Sequence, residues 1–411
     1  MRIRAPCLQV HQHRSTNMDD LDHRRLGQSL ELYHIQENAP GMVFWHPRGY
    51  AIYRVLEDYI RGHMRRLNFR EVRTPQLLPR ELWEKSGHWD KFGSNMFCVE
   101  DDDGREFALK PMSCPCHLQI FNQGIKSYRD LPVRYAEFGA CHRNEPSGSM
   151  HGLMRTRAFE QDDAHVICRP GDVQAEVARF IALLDRVYRE LGFDGYKVAL
   201  STRPAVRAGS DELWDWAEGQ LAAAAAERGV ECAVQPGEGA FYGPKLEFVL
   251  KDRMGREWQC GTVQLDTVLP GRLDAVYVGE SGEEMVPIML HHAVFGSMGR
   301  FIAMLIEHHE GNLPYWLSPD QVAVVPISDQ QLGYAKKVRD ELFDSGVRAI
   351  VIDQSDTLSR KLVDVHASRI PVALVVGARE EAASSVAVRE RDGSQHVLPL
   401  SEAVSELSGR R

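Results

Sequence analysis

Tyr135-Ala-Glu-Phe-Gly-Ala-Cys141-His142-Arg143-Asn144-Glu145 is followed, after Pro146-Ser-Gly-Ser149, by Arg155-Thr-Arg157-Ala-Phe159-Glu-Gln161-Asp-Asp163-Ala-His165. Proline, glycine and serine between the two runs predict a turn joining two extended segments. In the second run Arg157, Phe159, Gln161, Asp163 and His165 share one parity, so on a strand they point to one face. That face carries a cation, an aromatic plane, an amide, a carboxylate and an imidazole. Such a set suits a ligand rather than an apolar core. Arg143 has a fork shaped for a phosphate or carboxylate. Phe159 can stack on a base, and Asp163 can accept from an amine or hydroxyl. Each residue alone fits a solvated hairpin; the argument rests on the whole face.

Composition sets the bounds. A chain of 411 residues has room for two or three domains. Hydrophobic content of 43% and charged content of 26% are those of a globular protein. The net charge of −9 argues against a diffuse basic surface for nucleic acid but leaves room for a local groove. The 8 cysteines do not make a dense disulfide framework, which points to a reducing, cytoplasmic setting. No apolar run approaches a membrane span. The basic, His-rich start lacks the apolar core of a secretory signal. It reads as a disordered lead-in over residues 1–18, with Met18 a second candidate start.

Working outward, residues 22–36 read as a short helix closed by Pro40-Gly41. Ile52, Val55, Leu56, Tyr59, Ile60 and Leu67 recur at helical spacing and predict an amphipathic helix over 50–67. A short strand over 69–74 then ends at Pro75. His88 sits between Gly87 and Trp89, a setting more common for a packed histidine than a catalytic one. Lys110-Pro-Met112-Ser-Cys114-Pro-Cys116-His117 reads as a loop rich in metal-ligand types, without the second pair that a locally closed zinc site requires. Helices are expected over 171–191 and 211–228, and a hairpin over 245–266 around Met254-Gly255. The glycine-rich loop over 237–245 lacks the spacing of a P-loop. A strand over 286–292 runs into Gly296-Ser297-Met-Gly299-Arg300, which opens a helix. After a linker at 313–319, short strands and helices alternate in a small α/β unit.

The motif built on Arg143, Glu145, Phe159, Asp163 and His165 resembles the second signature of class II aminoacyl-tRNA synthetases, in wording closest to the threonyl family. The resemblance runs from about Asp22 to the C-terminus. It implies an α+β class II synthetase catalytic core, an antiparallel sheet flanked by helices, over 19–314. A small α/β anticodon-binding-type domain would follow over 315–411. The helix and strand over 50–74 resemble the first motif, which implies a homodimer. The strand, glycine turn and Arg300 resemble the third.

The resemblance also implies roles. Arg143 would grip a carboxylate and the α-phosphate, and Arg300 the γ-phosphate. Glu145, Arg155, Phe159, Gln259, Thr262 and Ser297 would hold the rest of ATP, with Mg²⁺ on its phosphates. Met112, Gln161, Asp163, Tyr242 and Gln264 would face threonine. Cys114, His165 and His291 would hold one Zn²⁺ whose open position takes the amino group and hydroxyl of threonine. His88 would accept the proton of the attacking tRNA hydroxyl, and Glu380 and Arg389 would read the anticodon. The implied protein is a ligase joining threonine to tRNA(Thr), in a form without an N-terminal editing region.

Three departures stand out. Cys116 replaces the family's glycine, His292 an arginine and Gly299 a glutamate. The C-terminal unit, from Asp320 on, carries 12 basic and 14 acidic residues, which is unhelpful for holding an RNA loop. These features favour an alternative: a paralogue serving inhibitor resistance, another acceptor or regulatory binding. A zinc hydrolase is disfavoured, because no His-Glu-x-x-His is present and Arg143 and Arg300 would have no role.

Overall fold

The computed structural model describes residues 18–410, so the expected lead-in lies outside it but for Met18. Two sheets organise the chain. The larger has eight strands: β1 Arg70–Glu71, β2 Val133–His142, β3 Ala158–Cys168, β4 Lys197–Ser201, β5 Ala233–Gln235, β6 Lys245–Lys251, β7 Glu257–Asp266 and β8 Ile288–Ala293. They lie in the order β5-β4-β6-β7-β8-β3-β2-β1. The interior pairs are antiparallel, as expected. The outermost pairs, β4–β5 and β1–β2, are parallel, so the sheet is mixed.

From Phe159 on, the pleat of β3 sorts its residues as the sequence predicts; Arg157 precedes the strand and donates to the Glu145 carbonyl instead of lining the cleft. Ala164, Val166 and Cys168 enter the main core with Val177, Ile181 and Leu184 of the Val173–Glu190 helix. Phe301 and Ile302 of the Met298–His308 helix and Ile52, Leu56 and Ile60 of the Pro47–Arg66 helix join the same core. Each such buried side chain contributes roughly 1.5–3 kcal/mol relative to exposure. Phe159, Gln161 and Asp163, on the other face of β3, line a cleft.

Three local expectations change. The first helix spans only His23–Ser29: Asp22 caps it by accepting from the Arg24 N–H, and Glu31 then takes a positive φ of 55°. The chain turns there into Tyr33–His34, which pairs with Phe44–Trp45. The strand expected over 69–74 shortens to Arg70–Glu71, because Thr74 leaves the ladder to donate to Glu137. The Cys114–His117 stretch is not loop but the first turn of a helix, Cys114–Phe121, where Pro115 needs no backbone donor.

The second sheet has Val322–Pro326 flanked in parallel by Ala349–Val351 and Val372–Val376, with Ser385–Glu390 and Gln395–Pro399 added antiparallel. Arg48 fastens this unit to the first. Its guanidinium donates to Asp320 (2.8 Å), to the Leu30 carbonyl (2.8 Å) and to the Ser368 carbonyl (2.6 Å).

Candidate functional site

A cleft of about 610 Å³ opens over β3, β7 and β8, roofed by the loop over 237–242. Met112, Arg143, Glu145, Arg155, Phe159, Gln161, Asp163, Tyr242, Gln259, Thr262, Gln264, His291, Ser297 and Arg300 all line it. The structure thus gathers on one surface residues that the sequence spreads over 189 positions, from 112 to 300 counted inclusively.

At one end the Arg143 guanidinium lies 5.1 Å from the centre of the Phe159 ring. Its own contact is to the Pro111 carbonyl at 3.3 Å. Arg300 donates to the carbonyls of Met154 and Gln259, each at 2.8 Å. Arg155 pairs with Glu145 at 2.9 Å. Burial, with Arg143 and Arg155 nearby, lowers the proton affinity of Arg300. One carboxylate among three guanidinium groups leaves a cationic wall suited to a polyphosphate.

The Arg300 helix is aimed by a residue facing away from the cleft. Asp162, fully buried on β3, accepts from the backbone N–H groups of Val294 (2.7 Å), Phe295 (3.0 Å) and Gly296 (2.9 Å). Burial pushes its carboxyl up to about 7, against the pull of those donors. Gly296 is required at the turn. Its φ is +70°, and a Cβ there would lie 2.6 Å from the Cys260 carbonyl.

Gln259 reaches the cleft through a bulge. Phe248 pairs with Gly261 and Val249 with Gln259, so Cys260 is the extra residue. Gln259 therefore shares a face with Thr262, to which it donates at 2.6 Å. At the other end the Tyr242 hydroxyl donates to Gln264 at 3.0 Å.

Cys114, His165 and His291 converge there, all buried, with ligand atoms within 4.8 Å of one another. His165 Nε2 and His291 Nδ1 are 3.1 Å apart. The donor set tests itself through its hydrogen bonds. Asp266 takes the Val268 and Leu269 N–H groups on one oxygen and His291 Nε2 on the other, at 2.9 Å. Its carboxylate makes His291 Nε2 the donor and leaves the Nδ1 lone pair facing the centre. Burial and the neighbouring His117 and His291 drive the His165 pKa well down, so that ring is neutral. Burial pushes the Cys114 thiol well up, and a cation supplies the charge that a thiolate needs. A soft thiolate, two imidazoles and a carboxylate behind one of them fit zinc.

Other expected residues lie elsewhere. His88 is fully buried and does not line the cleft. Its Nδ1 meets Ser86 at 2.8 Å, its Nε2 lies 3.6 Å from Cys114 Sγ, and burial lowers its pKa to about 3. Cys116 is directed to Thr74 and Lys110 and is outside the metal set. His292 packs between Phe69 and Phe180, with ring centres 5.1 and 4.8 Å away, and also borders the cleft. Glu380 accepts the Gly377 N–H at 2.9 Å and caps the start of a short helix. Arg389 pairs with Ala373 in the second sheet. Sequence reasoning missed Asp162, Asp266 and Glu137 as supports. Asp266 shares parity with Thr262 and Gln264, a signal that was there to follow.

A second buried cluster, Asp22, His23 and Glu307, also meets the distance criterion for a metal. It is satisfied internally: His23 Nε2 accepts from Leu153 and Nδ1 donates to Glu307 at 2.7 Å.

The family profile described as the tRNA synthetase class II core domain (G, H, P, S and T) matches residues 97–309, and one described as an anticodon binding domain matches residues 321–410. A threonine–tRNA ligase from Dichelobacter nodosus is 52% identical over 376 residues, covering 91% of this chain and 58% of its own length. One from Caulobacter vibrioides is 53% identical over 401 residues, 97% of this chain and 61% of its own. The chain therefore spans less than two thirds of these curated relatives. A crystal structure described as the RNA binding domain of threonyl-tRNA synthetase from Cryptosporidium parvum Iowa II superposes with a TM-score of 0.89 at 39% identity, covering 95% of this chain and 98% of that one. With such identity running through both units, the chain belongs to the class II aminoacyl-tRNA synthetase family, on its threonyl branch.

Proposed function

We propose that this chain activates threonine with ATP and transfers it to tRNA(Thr). One observation carries the reading: the Cys114–His165–His291 centre adjoins the same cleft as Arg143 and Arg300. Zn²⁺, when bound, supplies a Lewis-acidic position for the amino group and hydroxyl of the amino acid. Asp163 and Gln161 accept and orient the amine, and Tyr242 and Gln264 close the side-chain end. Arg143 holds the amino-acid carboxylate against the α-phosphate, Arg300 neutralises the γ-phosphate, and Phe159 stacks on the base. Glu145, Arg155, Gln259, Thr262 and Ser297 complete the nucleotide contacts, with Mg²⁺ on the phosphates. The chemistry is in-line attack helped by positioning and charge neutralisation.

The assembly proposed is a cytoplasmic homodimer formed through the Pro47–Arg66 helix. Glu380 and Arg389 are the proposed anticodon contacts. The Glu380 carboxylate already serves the Gly377 N–H, and this favours a second reading in which the activated threonine goes to another acceptor. Threonine-dependent ATP–pyrophosphate exchange, followed by aminoacylation of tRNA, separates the two. Exchange without charging selects the second reading, and no exchange with any amino acid overturns both.

A further inference from the structure

Behind the metal centre runs a buried polar chain that the reaction itself does not use. Glu137 on β2 is almost fully buried and accepts on two sides. One oxygen takes the Thr74 N–H at 2.8 Å and Lys110 Nζ at 3.0 Å. The other takes the Thr74 hydroxyl at 2.9 Å and faces His117 Nε2 at 3.1 Å. His117 Nδ1 in turn meets His165 Nδ1 at 2.8 Å. His117 and Lys110 are fully buried.

We infer that Glu137 and His117 form a tautomer-setting relay that presents the His165 Nε2 lone pair to the metal. Burial alone would raise the Glu137 carboxyl, but the hydrogen bonds from His117 and Thr74 and the Lys110 charge hold it down at about 2. As a carboxylate it only accepts, so His117 Nε2 carries the proton. A metal held at His165 Nε2 leaves Nδ1 as the N–H of that ring, so Nδ1 donates across the 2.8 Å contact to His117 Nδ1. His117 thus accepts at Nδ1 while its Nε2 donates to Glu137. The remaining nitrogen of His165 is then a lone pair aimed at His291 and Cys114. Asp266 does the same for His291 directly; His165 is served through an intermediary imidazole. Two lone pairs 3.1 Å apart repel unless a cation lies between them, so the relay selects the metal-bound state and disfavours a direct hydrogen bond between the two rings.

The relay draws its residues from β2 and from the first turn of the Cys114–Phe121 helix. His117 and Glu137 are positioning residues: neither is among the cleft-lining residues.

The inference rests on the zinc reading of the centre, and its test separates the two. Glu137→Gln is isosteric. Lys110 and Thr74 claim the amide oxygen, which leaves the NH₂ to donate to His117 and inverts every proton in the chain. Zn²⁺ release to a chromophoric chelator is measured in the full chain, and the Co²⁺-loaded spectrum is recorded. Release from Glu137→Gln and from His117→Leu is expected to accelerate about 10–100-fold, with shifted Co²⁺ bands. His117→Asn, which keeps an acceptor near Nδ1, is expected to stay within about threefold of the parent. Parent-like release from Glu137→Gln, or equal loss in His117→Asn and His117→Leu, overturns the relay alone. A parent chain that takes up no Zn²⁺ overturns the metal reading and the relay together.

Discussion

His165 and His291 are direct register partners on β3 and β8, and their facing nitrogens are 3.1 Å apart. With Cys114 they make the proposed zinc donor set, so Cys114→Ala is expected to lower bound zinc to near zero. Threonine-dependent exchange should disappear with it. Cys116→Ala should keep the metal, because that thiol is directed to Thr74 and Lys110. Metal analysis of both variants decides the matter; full zinc in Cys114→Ala would contradict the assignment.

Arg143→Ala and Arg300→Ala each remove a charge proposed to act on a developing phosphate charge. Each is expected to cut pyrophosphate exchange about 10²–10³-fold, with zinc content and melting temperature unchanged. Near-parent rates in both would remove the basis for placing ATP in this cleft.

Asp162→Asn tests the clamp behind the Arg300 helix. The amide has one acceptor oxygen for three backbone donors, and its NH₂ confronts at least one of them. An unsatisfied buried donor costs about 1–3 kcal/mol. The expected result is a lower melting temperature together with a raised KM for ATP, since Ser297 and Arg300 follow the clamped turn. A variant that melts earlier but binds ATP normally would show that Asp162 serves stability alone.

The ligand face of β3 was legible because one strand carries it and alternation needs no tertiary information. The proposed metal trio was not: Cys114, His165 and His291 come from a helix and two strands, and no local spacing joins them. Resemblance supplied that set. Gln259 shows a different limit, since a bulge at Cys260 shifts the parity that a sequence reading would assume. Lys110 and His117 were noticed as chemistry-bearing residues, but their partner Glu137 lies on another element. The departure at His292 proved to sit where core and cleft meet, packed on Phe69 and Phe180 yet lining the cleft, and nothing in the sequence shows that.

Gly299 is the second residue of the Met298–His308 helix, and a Cβ there would meet nothing closer than 3.7 Å. No contact demands glycine. Gly299→Ala should therefore stabilise the fold by up to about 0.5–1 kcal/mol, read as a higher denaturant midpoint with an unchanged slope.

Serine keeps the amino group and hydroxyl that this cleft is proposed to recognise and lacks one methyl. A missing methyl yields about 10–200-fold discrimination in a pocket, so serine should be activated at a measurable fraction of the threonine rate. Valine, without the hydroxyl, should be rejected about 10⁴-fold or more. Parallel exchange assays with the three amino acids check the order; valine activated as well as serine would rule out recognition through the hydroxyl.

Strand β3 also constrains how this site can evolve. Phe159, Gln161 and Asp163 line the cleft, while Glu160, Asp162 and Ala164 deal with neighbouring elements. The two sets are interleaved along the strand yet spatially separated by the thickness of a sheet. Point substitutions can thus retune specificity on one set without disturbing the scaffold held by the other. A single inserted or deleted residue within the strand would exchange the two sets at once, so lineages can drift here by replacement but not by length.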